Sequence, residues 1–153
     1  MLNKNNVKAL LISIAVSLGT GLFLDLIMLL NAKSYSNLQE SVLSPPMWLF
    51  ISVWNVLYIL MGVTAYLVSK SRQEEKFIGL SIYIIQIIFN ILWFVIIFKY
   101  KKLLFAFVWF IMLWILIIAM VHSFYKINKK AGLIQVLYLL WATFVGCLIF
   151  FSL

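Results

Sequence analysis

The sequence predicts an all-α membrane protein, a bundle of five transmembrane helices, and three observations carry that prediction. Hydrophobic residues make up 66% of the 153 residues and charged residues 10%, where an ordinary soluble domain carries about 25% charge. Five apolar runs each reach the ~20 residues that a helix needs to cross ~30 Å of hydrocarbon. The charges gather in short breaks between those runs. Together the runs cover most of residues 1–153, so a single membrane domain is expected.

The first run spans 7–30. Lys4 and Lys8 precede it, and Ala32-Lys33-Ser34 loosely resembles a cleavage site. Its apolar length exceeds the ~7–15 residues of a signal-peptide core, which predicts a retained helix. A connection at 31–46 follows, long for a compact bundle and therefore a candidate functional loop. Pro45-Pro46 then opens the second run, 47–69, where a missing backbone donor does no harm.

The remaining runs are 77–98, 103–125 and 131–153, separated by charged breaks at 70–75, 99–102 and 126–130. Links this short make neighbouring helices antiparallel. Eight of the twelve basic residues fall at the N-terminus and in the second and fourth connections, and four in the first and third. The positive-inside rule then places the N-terminus in the cytoplasm and the C-terminus and long first loop outside.

The formal charge of +8 does not indicate nucleic acid, because the basic residues flank helices and form no continuous face. Cys147 is the single cysteine, which excludes an intrachain disulfide and a cysteine-based metal site. No metal centre is expected. Asp25 lies about five residues from the end of its helix, within reach of water or Lys33, and His122 lies near the opposite interface. Neither makes a strong intramembrane site. No paired carboxylates, nucleophile–base pair or phosphate-cradling glycine loop appears at the predicted cavity under the first loop, which argues against acid–base hydrolysis.

The aromatic residues are more informative. Trp48 suits an interfacial belt, but at about 1.5 Å per residue Trp54 lies about 12 Å below Pro46, and Trp114 and Trp141 about 15 Å into their helices. An indole N–H at that depth needs a partner. Depth counting puts Trp54, Asn90, Trp93, Trp109 and Trp141 at one level beneath the long loop, with Tyr58 and Tyr138 a turn deeper. Phe50, Trp54, Tyr58 and Met61 share one helix face, as do Tyr83, Gln86, Asn90 and Trp93. Tyr138, Trp141 and Phe144 make a third aromatic face. The amides Gln86 and Asn90 are expected to point inward and bond across helices. Spacing alone leaves two readings open: packing glue, or an apolar ligand pocket with a few polar groups.

The motifs themselves resemble a known family. Ser44-Pro45-Pro46-Met47-Trp48, then Val53-Trp54, then Tyr58 with Met61-Gly62, looks like the second-helix signature of the TspO/MBR family, which comprises the tryptophan-rich sensory proteins and the translocator (peripheral-type benzodiazepine receptor) proteins. The likeness continues as Tyr35, Leu38 and Gln39 in the first loop, as Gln86, Asn90, Trp93 and Phe98 on the third helix, and as Tyr138-Leu139-Leu140-Trp141 with Phe144 on the fifth.

The resemblance implies a homodimer in a bacterial cell membrane, with a pocket under the first loop for porphyrin-type tetrapyrroles and synthetic isoquinoline-carboxamide or benzodiazepine ligands. Protoporphyrin IX or haem is then a ligand or substrate and no cofactor is tightly bound. Tyr35 would sit in the lid, Trp54 and Trp141 would flank the pocket, and Asn90 and Trp93 would line it, joined by Tyr58, Tyr138 and Phe144.

Three functions follow from the likeness: a receptor or sensor, a light- and oxygen-dependent porphyrin-degrading enzyme with Trp54 and Trp141 as redox partners, and a porphyrin transporter. The last is disfavoured, since no buried charge pair, inverted repeat or broken mid-membrane helix is evident.

Several positions depart from the family pattern. Glu40, Ser41 and Leu43 replace Lys, Pro and Trp, and Trp109 stands where an acid is common. Phe94 and Val95 replace prolines, and Ile149 replaces Asn. A terminal Ile149-Phe150-Phe151-Ser152-Leu153 lacks the Tyr-then-basic cholesterol pattern, so no dedicated sterol site is expected there.

Overall fold

A computed structural model describes residues 3–38 and 44–153. The helices are α1 (Lys4–Leu30), α2 (Ala32–Leu38), α3 (Met47–Ser69), α4 (Lys76–Phe94), α5 (Leu103–Ile127) and α6 (Lys129–Phe151). α4 runs on without a break through a π-helical turn, Val95–Tyr100. Five helices are long and apolar enough to cross a membrane, the third of them counted as Lys76–Tyr100, and the protein is an integral membrane protein. The spans begin and end within a few residues of the positions expected from the apolar runs.

Two connections differ from expectation. The first is partly helical, because the seven residues of α2 turn Ser34 and Tyr35 inward and leave Lys33 and Ser36 outside. In the third, the π turn carries the helix past 98, and Lys101 reverses the chain in a left-handed conformation, φ 55°. That conformation costs a lysine some strain. The α5–α6 link is a single residue: Asn128 closes α5 through its own N–H to Phe124 O at 2.7 Å. Its side chain then caps α6 by accepting from the N–H groups of Lys130 and Ala131.

Around the bundle the helices pack in the order α1, α3, α6, α5, α4 and back to α1. Small residues set the closest approach. At Gly62 an added Cβ would stand 2.6 Å from Ile14 Cα, and Ser13 Oγ bonds Gly62 O there at 2.7 Å. The apolar exterior is lipid-facing surface, while the core is aromatic at the α2 end and mixed aromatic, aliphatic and methionine toward the other.

Candidate functional site

The α3 stripe Phe50, Trp54, Tyr58 and Met61 and the α4 stripe Tyr83, Gln86, Asn90 and Trp93 are all buried and face one another. Trp54 is the hub. Its ring stacks on Tyr58 at 5.9 Å, meets Phe94 at 5.7 Å and Tyr138 at 5.9 Å edge-on, and lies 6.5 Å from Trp93. Phe50 extends the cluster from Trp54 at 6.1 Å to Trp141 at 5.8 Å.

Below these rings a polar ladder ties three helices together. Tyr58 O–H donates to Asn90 Oδ1 at 3.0 Å, Asn90 Nδ2–H donates to Tyr138 Oη at 2.8 Å, and Tyr138 O–H donates to Gln86 Oε1 at 3.0 Å. Gln86 Nε2 continues to Met61 Sδ at 3.7 Å, and Gln135 bonds Thr64 one level further on. Both amides therefore point inward across helices, and their side chains bond to protein partners there.

The tryptophans behave otherwise. Nε1 of Trp54, Trp93 and Trp141 is buried with no hydrogen-bond partner. An unpartnered buried donor costs about 1–3 kcal/mol, and here three occur in one continuous group of rings.

Above the rings α2 closes the bundle. Tyr35 donates its O–H to Pro45 O at 2.7 Å and packs on Phe50 at 5.4 Å and Phe98 at 6.3 Å. Burial pushes the Tyr35 phenol up to about 12. Beneath it lies a cavity of about 40 Å³, walled by Tyr35, Ser44, Pro45, Phe50, Trp93, Ile97, Phe98, Val145, Leu148, Ile149 and Ser152.

The eight residues expected at the site divide accordingly. Tyr35 and Trp93 line the cavity, while Trp54, Tyr58, Asn90 and Tyr138 form the packed layer around and beneath it. Trp141 is half-buried and Phe144 is 38% exposed. The third aromatic face thus turns progressively outward from the buried Tyr138 to the exposed Phe144, because steps of three advance about 300° and drift off the axis. Trp109 shares the depth of the cluster but not its direction: it stacks on Phe89 and bonds Phe89 O.

Periodicity held a signal for the α6 wall, since Val145, Leu148, Ile149 and Ser152 follow i, i+3, i+4, i+7, but aliphatic side chains advertise no chemistry. Ile97 enters through the π turn, which nothing in the sequence marks. Asp25 is held by Asn55, whose Nδ2–H donates to Oδ2 at 2.7 Å. His122 is exposed on α5. Among the described residues no cluster of His, Cys, Asp or Glu fits a metal. Gln39, Glu40, Ser41 and Leu43, and the side chain of Leu38, lie outside the described residues.

A model of the TspO/MBR family matches residues 9–152. Protein CrtK of Rhodobacter capsulatus is 34% identical over 118 residues, 76% of this chain and 74% of its own. A tryptophan-rich sensory protein of Cereibacter sphaeroides is 32% identical over 109 residues, 71% of this chain and 68% of its own. The translocator protein of Homo sapiens is 29% identical over 117 residues, 74% of this chain and 69% of its own. With a five-helix bundle, an aromatic cluster at one end and that match along nearly its whole length, the chain belongs to the TspO/MBR family.

Proposed function

We propose that this protein is a membrane receptor or sensor that binds porphyrin-type tetrapyrroles in the aromatic layer beneath α2. The observation that carries the reading is the set of three unpartnered indole N–H groups on Trp54, Trp93 and Trp141. A tetrapyrrole offers a flat π face to the rings and carboxylate acceptors to the donors, and hydrogen bonds to a charged acceptor contribute about 1.5–3 kcal/mol each. The synthetic ligands named above share the planar aromatic body and a carbonyl acceptor.

Binding demands rearrangement. A cavity of about 40 Å³ holds little more than a water or two, whereas small-molecule pockets run to ~300–1,000 Å³. The Tyr35 bond to Pro45 O is the contact that must part for α2 to lift. Opening consumes part of the gross interaction energy, and the three donors are what repay it.

Titration of the porphyrin absorbance band with purified protein tests this. Trp54→Phe and Trp141→Phe are each expected to weaken protoporphyrin binding by roughly tenfold or more, since 1.4 kcal/mol is about a factor of ten. Unchanged affinity in both variants and in the double variant would overturn the assignment.

The continuous ring path from Trp141 through Phe50 and Trp54 to Tyr58 favours a second reading, oxidative light-dependent porphyrin breakdown with tryptophan as electron donor. Under illumination in oxygen it requires a defined product that disappears in those same variants, while nonspecific bleaching persists in them.

A further inference from the structure

The geometry points to a second binding site, for an anionic phospholipid, in a groove on the outer side of the π turn. The groove has a volume of about 420 Å³ and is walled by Ile96, Tyr100, Lys102 and Phe105. Its size falls within the ~300–1,000 Å³ range of small-molecule sites. It lies where the π turn at the end of α4 passes through the left-handed Lys101 into α5.

Its chemistry is graded from end to end. Ile96 and Phe105 are its apolar walls, each about a turn inside the end of its helix, and Tyr100 and Lys102 are its polar walls at the helix ends. Lys99 and Lys101 flank the polar walls, so three lysines occur within four residues of exposed chain. The acid nearest this end among the described residues is Asp25, and Asn55 already holds it. Exposed Tyr100 and Trp48 mark the level of the membrane interface at the same end of the bundle.

An occupant must then carry a negative head at the interface and a hydrocarbon tail below it. A soluble anion has no use for the apolar walls. A second copy meeting this face by two-fold symmetry would bring its own three lysines against these, so like charge disfavours it. An anionic phospholipid satisfies both ends, its phosphate on Lys102 and the Tyr100 hydroxyl and one acyl chain on Ile96 and Phe105. The site is also placed to matter. Ile96 faces the groove while its neighbours Ile97 and Phe98 wall the cavity under α2, so one turn of chain forms the partition between them.

Native mass spectrometry of the purified full chain in detergent tests the assignment, with dioleoyl phosphatidylglycerol, dioleoyl phosphatidylcholine and inorganic phosphate as probes. Phosphatidylglycerol is expected to be retained in preference to phosphatidylcholine. Lys102→Gln should cut its retention roughly fivefold, as follows from the worth of one basic residue at a charged surface. Lys101→Asn removes a flanking charge with a residue that suits positive φ, and should cut it less. Ile96→Trp, which enlarges one apolar wall, should abolish retention while both lysine variants keep the wild-type thermal midpoint. Equal retention of the two lipids, retention insensitive to Lys102→Gln and Ile96→Trp, or displacement of the lipid by millimolar inorganic phosphate would each overturn the proposal. Porphyrin affinity is not the readout, so this test stands or falls apart from the one above.

Discussion

Two groups of tryptophans lie well inside the spans of this bundle and differ in where their N–H groups go. Trp109 donates to Phe89 O at 3.0 Å and Trp114 to Thr143 Oγ1 at 2.9 Å, each along a seam of α5 with a neighbouring helix. Trp54, Trp93 and Trp141, gathered beneath α2, donate to nothing. Depth does not explain the difference, since both groups lie well inside the spans. The α5 pair does what membrane helices ordinarily require, satisfying a polar group inside the protein. The α2-end trio leaves that requirement unmet, directly beside the polar ladder that ties α3, α4 and α6 together.

The largest effect expected from this contrast is on binding. Replacing Trp54, Trp93 and Trp141 together by Phe should reduce protoporphyrin affinity by at least ~100-fold, since even two charge-assisted hydrogen bonds supply about 3 kcal/mol. Replacing Trp109 and Trp114 by Phe should leave affinity within about twofold, because an indole already bonded to protein has nothing to offer a ligand. Equal losses in the two sets, read from the same absorbance titration, would erase the distinction between them.

Stability should respond to the layer below. Asn90→Leu strands the Tyr58 hydroxyl without its acceptor and removes a donor to Tyr138, in a layer where all three residues are about 99% buried. An unsatisfied buried group costs about 1–3 kcal/mol, so a loss of roughly 2–4 kcal/mol is expected from chemical or thermal unfolding in detergent. Gly62→Ala probes another point of the α3 packing, where a Cβ would meet the α1 backbone at 2.6 Å. Overpacking of this kind costs about 1–3 kcal/mol. Trp114→Phe should cost less, about 1 kcal/mol for one lost hydrogen bond, because Thr143 Oγ1 keeps its bond to Leu139 O. A Trp114 variant as damaging as the Asn90 one would mean that the α5 seam, and not the ladder, holds the bundle.

The sequence made some of this plain and hid the rest for identifiable reasons. The five spans were legible because hydrocarbon thickness imposes length and apolarity on each. The α3 and α4 stripes were legible because steps of three and four residues fix a face. Depth counting found the level of Trp54, Trp93 and Trp141 but also swept in Trp109, since rise along the axis says nothing of direction around it. Whether an indole is partnered was not legible at all: it depends on which carbonyl or hydroxyl of another helix arrives within 3 Å, and Trp93 and Trp109 look alike until α4 and α5 are packed. The π turn was hidden too, for Val95, Ile96 and Ile97 carry no glycine or proline to announce it.

The smallest expected effect concerns the contact that closes the α2 end. Tyr35→Phe removes one hydrogen bond to Pro45 O and should cost about 0.5–1.5 kcal/mol of stability. Because opening α2 becomes easier, it should speed porphyrin association and tighten binding by a similar factor. The same residue gives a pH signature whose sign is fixed. An exposed or unfolded tyrosine ionises near 10, whereas burial holds Tyr35 up to about 12. The folded state therefore favours the neutral phenol, and its contribution is fully present below about pH 10 and lost as pH rises toward 12. Tyrosinate absorbance, followed in wild type and in Tyr35→Phe, should show one late-titrating phenol missing from the variant. Alkaline destabilisation between those limits should be correspondingly shallower in the variant. If Tyr35 ionised with the exposed tyrosines instead, α2 would already stand open in the free protein, and the three unpartnered indoles beneath it would be reaching water.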